Sequence, residues 1–362
     1  MSNNIKVGIT HGDINGIGYE VILKTLEDNR ILELCTPVVY GSAKIANYYR
    51  KGLEMGNIPF NTVESASQAR RDANNIINVV SEDTKVEPGV STPEAGRAAF
   101  LALERAVTDL KNGDIDVLVT APINKNNIQS DDFHFAGHTE YLAGCAGDDA
   151  RALMILFNDR LRVALVTTHC PIAEVAGEIT VERVTEKLED FYLSLEKDFG
   201  LSHPRIAVLA LNPHAGDGGV IGHEEQNVIA PAIGQARKNG INCYGPYPAD
   251  GFFGAEQYRK FDGVLAMYHD QGLAPFKTLA MAGGVNFTAG LPFVRTSPDH
   301  GTGYDIAGKG EASEESLREA IYAAIDIYRN RARYEESHRN PLRRQYFDKS
   351  KDNVVLDLTK DA

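Results

Sequence analysis

Short apolar runs alternate with longer amphipathic stretches along most of this chain, and that alternation restricts its fold more than any other feature. Ile5–Thr10, Pro37–Tyr40, Ile76–Val80, Val117–Thr120, Leu153–Phe157, Leu161–Thr167, Ile206–Leu211 and Val264–Met267 read as strands, each of a length and β-branched content that suits a buried strand. Val285–Thr288 reads as one more, shorter strand. Between them, Tyr19–Asn29, Ala43–Lys51, Thr180–Phe199, Glu224–Asn239 and Ser313–Arg333 carry helical periodicity. Thr92-Pro93-Glu94 opens another helix, with a hydroxyl to cap it and a proline at its first position. Gly240 ends the helix before it. Strands alternating with helices predict an α/β fold whose mostly parallel sheets are covered on both faces.

A chain of 362 residues has room for two such units. Its formal charge of −13 argues against a general nucleic-acid or anionic-membrane surface, so an anionic ligand would need a local cationic pocket. Cys35, Cys145, Cys170 and Cys243 are scattered, which fits a reducing compartment and gives neither a disulfide framework nor a zinc ribbon. A strand begins almost at the N-terminus, leaving no room for a signal peptide, and no apolar run is long enough to span a bilayer. A cytoplasmic location is expected.

Three of the strands run into histidine: Val166-Thr-Thr-His169, Leu211-Asn-Pro-His214 and Met267-Tyr-His269. Parallel neighbours bring their carboxyl ends to one edge of a sheet, where ligands bind in open α/β folds. A single histidine there would be read as a hydrogen-bonded strand end. Three of them point to a divalent transition metal with open positions for substrate.

Gly12-Asp-Ile-Asn-Gly16-Ile-Gly18 is a glycine loop between strand and helix, but not the G-x-G-x-x-G dinucleotide fingerprint, which occurs nowhere in the chain. Its backbone would suit an anion at a helix start, or simply a tight turn. Gly303–Gly310 matches seven positions of a phosphate-binding P-loop, yet Gly310 stands where a metal-binding hydroxyl is required. Cations flanked by apolar residues, Lys277 and Arg295, are the better candidates for gripping an anion. His138-Thr139 adds ring and hydroxyl donors beside a glycine, or no more than a helix cap.

Taken together, Gly-Asp-x-x-Gly-Ile-Gly, Gly-His-Thr-Glu, Thr-Thr-His, Leu-Asn-Pro-His-Ala-Gly, Met-Tyr-His-Asp-Gln-Gly-Leu and Gly-Leu-Pro-Phe-x-Arg-Thr-Ser closely resemble the 4-hydroxythreonine-4-phosphate dehydrogenase family of pyridoxal phosphate biosynthesis. The resemblance runs in order from about Lys6 to Arg329. It implies two α/β/α domains related to isocitrate and isopropylmalate dehydrogenases, with the active site in the cleft between them. Residues 1–130 together with about 290–335 would form the first domain, and about 131–289 the second. Residues 336–362 would be an extension. It further implies a homodimer with shared active sites, NAD or NADP as cofactor, and a divalent metal, zinc first, with magnesium or cobalt as alternatives. The metal ligands fall on His169, His214 and His269, and the substrate-binding positions on His138, Thr139, Lys277, Asn286 and Arg295. The substrate would be a small phosphorylated hydroxy-amino acid. Lys277 and His138 are both candidates for the general base. Ile14 and Asn15 depart from the family's usual first loop. Asn61–Asn75 and the basic tail, with Arg343, Arg344, Lys349 and Lys351, look like additions. A sibling dehydrogenase of 4-phospho-threonate or 4-phospho-erythronate, and a metal-dependent phosphate-ester hydrolase, are the rival expectations.

Overall fold

The computed structural model describes residues 4–147, 150–280 and 283–340, so Arg343, Arg344, Lys349 and Lys351 lie outside the described residues. In chain order, the first third holds β1 (Ile5–Thr10), α1 (Gly18–Glu27), α2 (Ile31–Leu34), β2 (Cys35–Gly41), α3 (Ala43–Gly52), β3 (Phe60–Thr62), β4 (Asn74–Asn78), α4 (Pro93–Asn112) and β5 (Val117–Thr120). The middle holds α5 (His138–Ala146), β6 (Leu153–Phe157), β7 (Arg162–Leu165), α6 (Val175–Glu178), α7 (Val181–Lys197), β8 (Ile206–Leu209), α8 (Ala230–Lys238), β9 (Cys243–Tyr247) and α9 (Ala249–Gly254). Then come β10 (Gly263–Ala266), α10 (His269–Ala280), β11 (Val285–Ala289), β12 (Val294–Pro298) and α11 (Glu315–His338). None of these helices is long and apolar enough to cross a membrane. The four cysteines are free.

All the strands join one sheet in the order β3-β4-β2-β1-β5-β12-β11-β6-β7-β10-β8-β9. Pairing is parallel on either side of the middle. It is antiparallel where β11 meets β12 and β6, and where β6 meets β7. The alternation of side chains along each strand then sorts the interior into layers. Ile5, Val7 and Ile9, Val117 and Val119, Ile155, Leu265 and Phe287 all face one continuous core under α1, α7, α8 and α11. The other face carries two separate clusters. Val38, Tyr40 and Leu118 pack under α4 and α5, while Met154, Leu156, Val163, Leu165 and Ala266 pack under α9 and α10. Between the two clusters, this face of β11 and β12 presents polar residues: Asn286 stands opposite Ser297, and Arg295 lies two residues before it. That polar gap is where a ligand can meet the sheet.

Local signals act as the sequence predicts. The Thr92 hydroxyl accepts from the Ala95 amide at 3.2 Å at the start of α4, and Thr180 does the same for Arg183 at the start of α7. The Asn158 side chain accepts from the amides of Arg160 and Leu161, closing the β6–β7 hairpin. The region Asn61–Asn75 contributes the edge strand β3, tied down by the Asn75 side chain. The first glycine loop is a packing joint and not an anion cradle. All of His11–Gly18 is buried, and the amides of Asp13 and Ile17 donate to the carbonyls of Pro122 and Thr302. A Cβ on Gly18 would fall 2.1 Å from the His11 carbonyl oxygen. Asn15 belongs to this joint, bonding the segment from Glu87 to Thr92, and the Ile14 carbonyl accepts from the Tyr49 hydroxyl.

Candidate active site

A cleft of about 230 Å³ opens over the polar gap. Its floor is Thr120 at the end of β5, with Arg295 and Ser297 on β12, Asn286 on β11, and Met154 and Leu156 on β6. One wall is the start of α5, with His138, Thr139 and Glu140, and beside it Lys125 from the segment after β5. The other wall is α10, whose His269, Leu273 and Lys277 recur every four residues and so share one face. His169 arrives from the segment after β7, and Asp299 and His300 from that after β12.

Arg295 is the electrostatic centre. It is 2% exposed, and its guanidinium bonds only to hydroxyls: Thr120 at 3.1 and 2.6 Å, and Thr288 at 3.2 Å. No carboxylate pairs with it among the described residues. Burial pulls its pKa down to about 9, partly countered by Glu140, which still leaves it charged at neutral pH. A buried cation held only by neutral groups is costly unless an anion completes it. The surrounding polar atoms are also incomplete: His138 Nε2, Asn286 Oδ1 and His300 Nε2 are buried without a hydrogen-bond partner. Burial, reinforced by Arg295 and Lys125, holds the His138 imidazole neutral, with its pKa well below the usual value. Arg295 and the His138 ring suit an oxyanion that accepts from them, while Asn286 Oδ1 is left to accept from a hydroxyl or ammonium of the same ligand.

His169 and His269 form a second centre in the same cleft, their ring centroids 6.1 Å apart. Each is held through Nδ1 by a carboxylate, His169 by Glu140 at 3.1 Å and His269 by Asp270 at 2.7 Å. Lys125 Nζ lies 3.5 Å from His169 Nε2. His214 does not join them. It follows β8 on a run of left-handed residues from His214 to Gly218 and lines a different hollow, with Asn212, Tyr268, Gln271 and Pro275. The strand order explains this: β10 lies between β7 and β8, so the residue after β8 emerges beyond the segment after β10. Two imidazoles with anchored Nδ1 atoms fit two positions of a metal site. No group of three or more His, Cys, Asp or Glu fit to hold an ion gathers within one chain among the described residues.

The predicted residues His138, Thr139, His169, His269, Lys277, Asn286 and Arg295 therefore share one cleft, and His214 stands apart. Reading the sequence by strand ends misses Lys125, Glu140, Ser297 and His300. Glu140 had a visible signal, as the last residue of Gly137-His-Thr-Glu140.

Comparison with known proteins identifies the family. Residues 33–324 match the family model described as pyridoxal phosphate biosynthetic protein PdxA. The 4-hydroxythreonine-4-phosphate dehydrogenase of Bacteroides thetaiotaomicron is 57% identical over 356 residues, covering 98% of either chain. A protein of Oceanobacillus iheyensis carried under the provisional name D-threonate 4-phosphate dehydrogenase is 39% identical, over 90% of this chain and 99% of its own. The crystal structure of 4-hydroxythreonine-4-phosphate dehydrogenase from Klebsiella pneumoniae superposes with a TM-score of 0.77 at 34% identity, covering 90% of this chain and all of that one. The chain is a dehydrogenase of the PdxA family.

Proposed function

We propose that the chain oxidises the secondary alcohol of 4-phosphooxy-L-threonine with NAD or NADP, giving a β-keto acid that loses CO₂ to leave 3-amino-2-oxopropyl phosphate. The observation that carries this reading is Arg295, a buried guanidinium with no carboxylate partner among the described residues, beside the unsatisfied Nε2 of His138, with Asn286 Oδ1 left to accept from a hydroxyl or ammonium of the substrate. Such a pocket suits a phosphate, with Arg295 as a fork, Lys277 as a point charge and Thr139 as a hydroxyl donor. The neutral imidazole of His138 can donate to the substrate or take up a proton, so it and Lys277 remain the two candidates for the base. His169 and His269 would hold a divalent cation, zinc by preference, through their Nε2 atoms, and His214 of a second copy would supply the third nitrogen. Bound there, the cation would stabilise negative charge on the substrate oxygen during oxidation and decarboxylation. In this reading residues 1–130 with about 290–335 make the first domain and about 131–289 the second, both lining the cleft, and the dimer lies in the cytoplasm.

The relative from Oceanobacillus iheyensis keeps a second reading open: oxidation of 4-phospho-threonate or 4-phospho-erythronate, which carry the same phosphate without the amino group. Following NAD(P)H absorbance with all three substrates decides between them. Preference for the amino acid by tenfold or more in kcat/KM, about 1.4 kcal/mol, supports the first reading. The reverse order establishes the second, and phosphate release without cofactor reduction overturns both.

A further inference from the structure

We propose that Glu140 is a positioning residue that fixes the tautomer and orientation of His169 for a cation held on its Nε2 side. The inference rests on the metal reading above and assigns a role to the residue that closes the Gly137-His-Thr-Glu140 motif.

Hydrogen-bond chemistry settles which ring nitrogen carries the proton. Lys125 Nζ stands 3.5 Å from His169 Nε2, and an ammonium has only hydrogens to offer. Nε2 is therefore the lone-pair nitrogen. The ring proton sits on Nδ1, where it is donated to Glu140 Oε1 at 3.1 Å. This is the tautomer that an imidazole ligating through Nε2 requires, and the carboxylate behind it holds the ring in one orientation.

His269 has a similar carboxylate, but the two supports differ in strength. Asp270 follows His269 directly in the chain, and its side chain is 85% exposed, so water competes for the bond. Glu140 belongs to a different element, α5. Its side chain is 34% exposed, and its second oxygen is buried without a partner. His169 is the one side chain that this carboxylate hydrogen-bonds among the described residues.

The position of Glu140 also has a consequence for binding. His138 and Thr139 occupy the same first turn of α5 and face the anion pocket. One helical turn thus holds both the phosphate donors and the carboxylate behind His169.

Titration of the 362-residue chain with Co²⁺ and Zn²⁺ by calorimetry tests this, together with nitrogen NMR of its imidazoles recorded without metal. Glu140→Ala is expected to weaken metal binding about 10–100-fold, as the loss of other outer partners of ligating histidines does. Glu140→Gln, whose amide oxygen still accepts from Nδ1, should lose less. The spectra should show His169 as a single Nδ1–H tautomer in the wild type and in Glu140→Gln, and as a mixture in Glu140→Ala. A role in packing alone would lower the melting temperature of the metal-free chain and change neither readout. Wild-type metal affinity in Glu140→Ala, or an unchanged tautomer, overturns the assignment. A wild-type chain that binds neither ion overturns the metal reading itself. The metal-free spectra then tell that failure apart from a failure at Glu140.

Discussion

Arg295 and His11 are both fully enclosed, and they show two different uses of burial. Arg295 is left charged and incompletely satisfied, so it gives up stability in the empty cleft to gain a grip on an anion. Arg295→Met should therefore melt no lower than the wild type, while KM for the phosphorylated substrate rises about 10–100-fold and kcat changes less. A drop in kcat with unchanged KM would remove Arg295 from the anion site. His11 lies outside the cleft, stacked on Tyr19 at 5.3 Å, with Nδ1 bonded to the Gly12 carbonyl. Burial lowers its pKa from 6.5 to about 4, a shift partly offset by that carbonyl. The unfolded chain thus takes up a proton on His11 more readily than the folded one. The resulting stability is complete above pH 6.5 and is lost as the pH falls toward 4, by about 3 kcal/mol in all at ~1.4 kcal/mol per unit. Denaturant titrations of His11→Gln and wild type between pH 4 and 7 should converge at the acid end. Parallel curves would show that His11 does not titrate in that window.

At the scale of elements, the chain was most legible where one residue decides a boundary. Thr92 and Pro93 start α4 as read, and the Thr92 hydroxyl also accepts from the Asn15 side chain at 3.2 Å. Thr92→Ala should accordingly cost about 1–2 kcal/mol in urea unfolding, at the upper end for a helix cap. A change within error would mean that water replaces both bonds. Elements whose existence depends on a neighbour were not legible. The strand β9 contains Gly245-Pro246, and β12 begins two residues after Pro292, so neither has the local composition of a strand. The sheet edges and the centre supply the pairing that makes them strands. The glycine loop was ambiguous for a related reason. Gly16 and Gly18 are demanded by backbone 2.6 and 2.1 Å from where a Cβ would sit, and one of those contacts comes from Thr302, far away in sequence.

For the molecule as a whole, the sequence carried the residue types of the site but not their grouping. His138, Thr139 and Arg295 were identifiable from short contiguous motifs, Lys277 from its apolar flanks, and Asn286 only through the family resemblance. Whether His169, His214 and His269 converge depends on strand order, which no local pattern encodes, and in one chain only two of them do. A site completed by a second copy has a specific signature. His169→Ala and His214→Ala should each be inactive, yet mixing them, with subunit exchange, should restore about a quarter of wild-type activity. Half of the dimers are then hybrids, and each hybrid has one intact site and one site with both changes. No recovery on mixing would place His214 outside the metal site.

The antiparallel strand β11 joins the two halves of the sheet under the cleft. A cleft built on a continuous sheet has no linker between the two halves of its floor. Across β12, β11 and β6 the two halves are tied by ladder hydrogen bonds, where a hinged protein would have a linker. The floor of the cleft is therefore also the ladder that holds the two halves of the sheet together.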